Sequence, residues 1–353
     1  MITTASEGND LRTLPYTAAR GPLWQQLAER VDAPAWHADP RCLPAICEGL
    51  RHKGYVIEAS REGRVVGYLP LALVESLLFG RFLVSLPYVN SGGVLAEESD
   101  CGPALIGEAV RLADELDVRY LELRHERAWS HPALTRQLTS KVHMRLQLPD
   151  TPAALWESFK PKVRNQIRKG QKQGFTVHWG GEELVGRFHK VFSRNMRDLG
   201  TPVFGRRLFR SILAHFPDDA ELCVVCLGRR ALAAALLVRG RSYTEVPSAS
   251  SLSKYNSTNV NMLMYWQLLA RSIERGQRVF DFGRSSPESN TYRFKRQWGA
   301  KPEPAVWQYY VRQGDVRDMR IESGKYDRWI GIWRKLPVGV TRWLGPPIVR
   351  GIP

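Results

Sequence analysis

One order of segments occurs twice in this 353-residue chain, and no other feature constrains its fold as strongly. In the first half, "YVIEASREGRVVGYLPLALVES" reads as two strands joined by a turn at Glu62-Gly63. In the second, "ELCVVCLGRRALAAALLVRG" reads the same way around Gly228-Arg229. An irregular strand-like stretch follows each hairpin, and then a helix. Over Pro103 to Leu116 the apolar residues Leu105, Ile106, Ala109, Val110 and Ala113 fall at helical spacing. Met262, Leu263, Trp266, Leu269, Ala270 and Ile273 do the same over Asn259 to Glu274, with Thr258 as the expected N-cap and Gly276 as the stop. Each copy ends with a short strand ("RYLELRH", "RVFDFGR"), a short helix ("HPALTRQL", "NTYRFKRQ") and a closing strand ("HMRLQLP", "AVWQYYVRQ"). That order predicts an α/β fold with a mixed sheet in each half. One large α/β domain is the alternative.

Charge separates the halves. Residues 1–150 carry 16 basic and 19 acidic side chains, a net of −3, whereas residues 151–353 carry 35 and 16, a net of +19. The second half therefore meets whatever partner needs positive charge: a phosphate-bearing substrate, a nucleic acid or an anionic lipid surface. The five cysteines suggest no disulfide framework, and Cys223 and Cys226, three apart in a strand, point to opposite faces. No secretory signal is evident and the window Leu69 to Leu95 is interrupted by Glu75, Arg81, Pro87 and Asn90, so a reducing cytoplasm is expected. The eight histidines show no metal-ligand spacing and no G-x-S-x-G occurs, so neither a metal centre nor a serine hydrolase is implied.

The repeat, with the stretches "LWESFKPKVRNQIRKGQKQG", "NMLMYWQLLARSIERGQRVFDFGRS" and "YRFKRQWGA", resembles the FemAB-type transferases, which are built from two tandem GNAT-like acyltransferase domains. The resemblance runs from about Leu23 to Val311, and more narrowly it is to the FemAB-related proteins associated with exosortase/PEP-CTERM and exopolysaccharide systems. It implies an N-terminal extension over 1–22, a first GNAT-like domain over 23–150, a second over 151–320 that holds the catalytic groove, and a tail over 321–353. The implied activity is acyl or aminoacyl transfer to an amine on a cell-envelope or exopolysaccharide precursor. No cofactor would be bound tightly, and the donor would be acyl-CoA or aminoacyl-tRNA.

Acyl transfer needs a stabilised oxyanion, a deprotonated nucleophile and a held donor. By the resemblance, Lys295 of the Phe-Lys motif stabilises the developing negative charge. Its flanking Phe294 and Trp298 would place the ammonium in a low dielectric; a lysine that merely snorkels between two core anchors is the competing reading. Replacing it with methionine should abolish transfer and leave stability nearly unchanged. Arg284, Tyr292, Arg293 and Phe294 are expected to flank the same pocket and bind substrate, arginine by bidentate contact with phosphate or carboxylate. Asp281 would orient Arg284 or accept a proton, unless it is paired to a neighbouring arginine. On the wheel of "WESFKPKVRNQIRKGQKQGF", Trp156, Phe159, Val163 and Ile167 share one face, and Lys160, Arg164, Arg168 and Lys172 form a row on another. Lys162, Arg164 and Arg168 are the candidate cradle for a phosphorylated substrate or an RNA; a solvated charged face is the plainer alternative.

The loop before the second long helix, "SLSKYNSTNVN", lacks the glycines with which GNAT enzymes commonly bind the CoA pyrophosphate. A tRNA donor would suit the net positive charge, although no RNA-binding module or inserted coiled-coil arm is recognisable. A degenerate, non-catalytic GNAT pair that binds an anionic glycan, a lipid-linked intermediate or RNA is the other reading. In the tail, Trp329, Trp333 and Trp343 are mixed with Arg328, Arg334, Lys335 and Arg342, and Pro337 and Pro346-Pro347 exclude one long helix. Such a segment suits an anionic inner-membrane surface, to which the protein would be peripheral, or packs as an arm on the body.

Overall fold

The computed structural model describes residues 3–6, 9–315 and 327–353. The chain forms two compact units. One comprises residues 1–141, 304–326 and 350–353, the other residues 142–303 and 327–349.

In chain order, the first unit starts with strands β1 (Thr3–Ser6) and β2 (Asn9–Pro15) and helices α1 (Gly21–Arg30) and α2 (Cys42–Leu50). Strand β3 (Lys53–Arg61) turns at Glu62 and Gly63, both at positive φ, into β4 (Arg64–Ser76). Strands β5 (Gly80–Val84) and β6 (Leu95–Ala96), helix α3 (Cys101–Glu115), and strands β7 (Tyr120–His125) and β8 (Arg136–Leu138) follow. The second unit takes β9 (Val142–Gln147), α4 (Pro152–Ser158), α5 (Pro161–Gln171), β10 (Thr176–Gly180), α6 (Val185–Leu199) and α7 (Arg206–His215). It continues with β11 (Ala220–Leu227), β12 (Arg230–Arg239), β13 (Tyr243–Ser251), α8 (Val260–Glu274), β14 (Val279–Ser285), α9 (Asn290–Gln297) and β15 (Lys301–Pro304). Strand β16 (Val306–Val311) returns to the first sheet, and α10 (Asp327–Lys335) and α11 (Val338–Val349) belong to the second unit.

Both sheets are mixed, as the repeat predicts. The first has the order β1-β2-β3-β4-β5-β7-β16-β8, and the second β10-β11-β12-β13-β14-β9-β15. In each, a hairpin leads to a strand that lies parallel to the one following the long helix: β5 beside β7, β13 beside β14. Helix α3 buries Leu105, Ile106, Ala109, Leu112 and Ala113 on the first sheet, and α8 buries Met262, Leu263, Leu268, Leu269 and Ile273 on the second. Each large side chain so buried stabilises its unit by about 1.5–3 kcal/mol.

Several expectations are corrected. The closing strands are exchanged: "HMRLQLP" contributes β9 to the second sheet, antiparallel to β14, and "AVWQYYVRQ" contributes β16 to the first, antiparallel to β7. "HPALTRQL" forms no helix; its Arg136–Leu138 part is strand β8, paired with β16. The segment read as one wheel breaks at Phe159-Lys160, because Pro161 offers no N–H to continue α4 and forces Lys160 to extended angles (φ −58°, ψ 147°). Thr258 does not cap α8: its hydroxyl donates back to the Tyr255 carbonyl at 2.6 Å, and Asn259, left-handed at φ +57°, holds the cap position. Gly276, at φ +75°, does follow the helix as its stop. Of the residues expected in the N-terminal extension, Asn9–Pro15 form a full strand of the first sheet. As expected, the tail is not one long helix, since α10 and α11 are separate on either side of Pro337; Pro346 and Pro347 nevertheless lie inside α11, near its end, and give up two of its N–H donors. Of the expected tail, residues 321–326 lie outside the described residues.

Candidate functional site

The site is built on the end of β14. Phe280 and Phe282 of "VFDFGRS" pack into the core beneath α8, which turns Asp281 to the opposite face. Gly283 then adopts φ +77°, a conformation open to glycine at little steric cost, and the register with β9 slips between Asp281 and Arg284. The resulting bulge offers two carbonyls to one side chain. Lys295 Nζ donates to Gly283 O at 3.0 Å and to Arg284 O at 3.0 Å. Lys295 is only 8% exposed. Helix α9 brings it there because Ser289 caps the helix, its Oγ accepting the Tyr292 N–H at 3.2 Å, so that Tyr292 and Lys295, three apart, share the inward side. Burial lowers the Lys295 pKa to about 8, against the opposing pull of Asp281 and Glu245.

Asp281 is fully engaged. Its Oδ1 accepts the Gly283 N–H at 2.7 Å, its Oδ2 accepts Arg145 Nε at 2.9 Å, and His143 Nδ1 lies 3.4 Å from Oδ2. Arg145 also reaches Glu303, Nη1 to Oε2 at 2.9 Å. Burial by itself would raise the Asp281 pKa, but His143 and Arg145 outweigh it and hold the group well below the usual carboxylate range. Asp281 is therefore a permanent anion that shapes the bulge. The arginine it pairs with is Arg145, on the exchanged strand, and that is why the sequence did not show it. A signal did exist: in "VHMRLQ", His143 and Arg145 share one buried face opposite Met144, and two buried cationic-type side chains demand a carboxylate.

Beside this cluster the sheet opens. The parallel strands β13 and β14 pair only from Tyr243↔Val279 to Glu245↔Asp281. Beyond that, β13 continues against β12 as far as Ser251, and β14 continues against β9. The strands thus part toward their carboxyl ends, where open α/β sheets place ligands. Buried Ser248 and Ser250 lie along one flank, with Asn195 Nδ2 of α6 donating to Ser250 Oγ at 3.1 Å, and the Lys295 bulge forms the other. In the first unit β5 ends at Val84 together with its pairing to β7, and the chain's own loop occupies the place beyond. Arg124 donates to Val89 O at 2.7 Å and to Leu86 O at 3.4 Å, and its Nε meets Glu122 at 2.7 Å. Only the second unit carries a lysine of the Lys295 kind over such an opening, because the first has no counterpart of α9 among the described residues.

The other expected site residues are placed unevenly. Arg284 gives its carbonyl to Lys295 and is half-buried. Tyr292 is buried in the core, with Arg296 5.8 Å over its ring, so the ring faces protein. Phe294 packs edge-on to Tyr265 at 5.0 Å. Arg293 projects outward, its nearest carboxylate being Glu288 at 4.0 Å. On α5, Val163, Ile167 and Gly170 face α8, and Lys162 and Arg168 are exposed. Arg164 pairs with Glu157 at 3.0 Å, and Arg168 lies 5.2 Å over the Trp156 ring. The basic helix and the lysine helix share one aromatic cluster: Phe159 meets Trp298 at 5.4 Å and Trp266 at 6.1 Å.

Residues 157–296 match the family model described as an acetyltransferase (GNAT) domain. No curated protein matches the chain by sequence. Among solved structures it is similar to FemX (TM-score 0.63, 14% identity, covering 87% of this chain and 99% of that one). It is also similar to a tandem GNAT protein from the clavulanic acid biosynthesis pathway (0.55, 15%, 86% and 100%). A third is L-PGS from Bacillus licheniformis (0.54, 13%, 89% and 97%). The GNAT match covers part of the second unit, and the two units have the tandem GNAT-like fold.

Proposed function

We propose that the protein is an acyl- or aminoacyltransferase whose second unit holds the reacting groups. The observation that carries this reading is the Lys295 ammonium, buried at the parting of β13 and β14 with two of its three N–H groups engaged by fixed carbonyls. The amine of the acceptor attacks the donor carbonyl, and the remaining N–H of Lys295 stabilises the oxyanion. The C–S or C–O bond of the donor then breaks, and the thiol or ribose hydroxyl leaves with the proton lost by the amine. Asp281 acts as a positioning residue, holding the bulge through the Gly283 N–H. Lys162, Arg164 and Arg168 supply the positive surface for a phosphate-bearing substrate, with Arg284 and Arg293 as further cations, whereas Tyr292 and Phe294 act from within the core by holding α9 in place.

Between the two donors, aminoacyl-tRNA is favoured over acyl-CoA by the glycine-free approach to α8, which is a 3-10 turn over Ser253–Thr258. The acceptor in this reading is a cell-envelope or exopolysaccharide precursor, in keeping with the resemblance to the exosortase-associated group. One observation favours a non-catalytic binding module instead: both hydrogen bonds of Lys295 end on backbone carbonyls, as in a purely structural clamp.

The test incubates the purified protein with labelled aminoacyl-tRNA or with acetyl-CoA, together with extracted nucleotide-linked sugar precursors, and follows label transfer. Loss of one donor-held interaction of this kind reduces turnover by about a hundredfold to a thousandfold. Lys295→Met should show such a loss with either donor. A Lys295→Met protein as active as the parent would end the proposal.

A further inference from the structure

The C-terminal helices are folded onto the second unit and still leave their most apolar side chains in water. Helix α11 packs through Thr341, Gly345 and Val349, and a Cβ on Gly345 would stand 2.8 Å from the Val203 N, so its backbone lies against that of Val203. Arg342 Nε donates to Ser193 Oγ of α6 at 2.7 Å, and Arg197 of α6 donates to Leu336 O at 3.0 Å. Helix α10 covers the end of α6: Arg334 donates to Leu199 O at 3.3 Å, and Gly200 lies under Ile330. These bonds tie both helices to α6, although the buried Trp333 Nε1 of α10 has no hydrogen-bond partner among the described residues. The outward faces carry Trp329 (67% exposed), Ile332 (45%), Val340 (37%) and Trp343 (78%), and the adjoining Leu199 is 55% exposed. Five of the nine large apolar side chains exposed among the described residues therefore fall on this one region of α6, α10 and α11.

Charge says what covers them. From Arg328 to Val349 the chain has Arg328, Arg334, Lys335 and Arg342 and no acidic residue. Arg328, Arg334 and Lys335 are exposed around the tryptophans. A protein partner needs no such one-sided charge beside apolar surface, whereas a bilayer with anionic headgroups offers both halves of the match: tryptophan partitions to the headgroup level and cations are held by the negative surface. No described helix is long and apolar enough to cross a membrane, so the contact is with the surface. We infer that the face formed by Trp329, Ile332, Val340, Trp343 and Leu199 with its ring of arginine and lysine docks the second unit on an anionic membrane. The inference rests on α6, α10 and α11 alone and is independent of Lys295.

The test is co-sedimentation of the full chain with vesicles of phosphatidylcholine alone or of phosphatidylcholine and phosphatidylglycerol in equal parts. The parent should bind the anionic vesicles only. Trp329→Ser with Trp343→Ser should weaken binding at least about tenfold, and Arg328→Glu with Lys335→Glu at least about fivefold, with circular dichroism unchanged since all four side chains are exposed. Three results would each overturn the inference: equal binding to neutral vesicles, undiminished binding by the tryptophan variant, or no vesicle binding together with a dimer that the tryptophan variant dissociates. The last would make the face a contact between copies of this chain. Label transfer by the tryptophan variant in detergent-free solution should equal that of the parent, so failure here is distinguishable from failure of the transferase reading.

Discussion

Burial of Lys295 makes the stability of this protein depend on pH in a direction opposite to that of most lysines. Its pKa moves from 10.5 to about 8 on folding, chiefly through desolvation. Below pH 8 the ammonium is charged in both states, and the shift corresponds to a penalty on the native state of about 3 kcal/mol. Between pH 8 and 10.5 the native state releases the proton while the unfolded chain still holds it. Stability therefore rises with pH through this window, by up to about 3 kcal/mol from this group. Lys295→Met removes that penalty but leaves the carbonyls of Gly283 and Arg284 without their donor, at a cost of about 1–3 kcal/mol each. The opposing changes are of similar size. Near-unchanged stability at pH 7 is thus the expected result, as a balance of two large effects rather than as an indifferent site. The assay is urea denaturation of parent and Lys295→Met at intervals from pH 7 to 10.5. The parent should gain stability relative to the variant as pH rises. A difference that stays flat across the window would refute the low-dielectric slot, and with it the argument that the ammonium acts strongly on an oxyanion.

Two further outcomes follow from the same geometry. Arg145→Ala leaves Asp281 buried without its guanidinium and should destabilise the second unit by about 3–5 kcal/mol, read as a lowered urea midpoint; an unchanged midpoint would show that His143 suffices. Gly170→Leu should push α5 off α8, because a Cβ there already stands 2.9 Å from the Asn259 carbonyl, costing about 1–3 kcal/mol and weakening binding of tRNA or polyphosphate by the α5 arginines; unaltered affinity would detach those residues from the site.

The sequence by itself determined the repeat and most of its parts. Hairpin turns at Glu62-Gly63 and Gly228-Arg229 and the two long helices were legible because they rest on local chemistry, positive-φ turn residues and apolar spacing, and α9 was placed by its position in the repeat. Lys295 was legible as a residue held between aromatic anchors, but the groups its ammonium meets were not. Two carbonyls of a bulge are backbone, and backbone carbonyls leave no mark in a sequence. Only the tertiary structure exchanged β9 with β16, since both strands are apolar enough to close either sheet and long-range pairing is decided by the whole layer. That exchange brought Arg145 and His143 to Asp281, 136 residues from the arginine along the chain, and turned an apparent candidate base into a fixed anion.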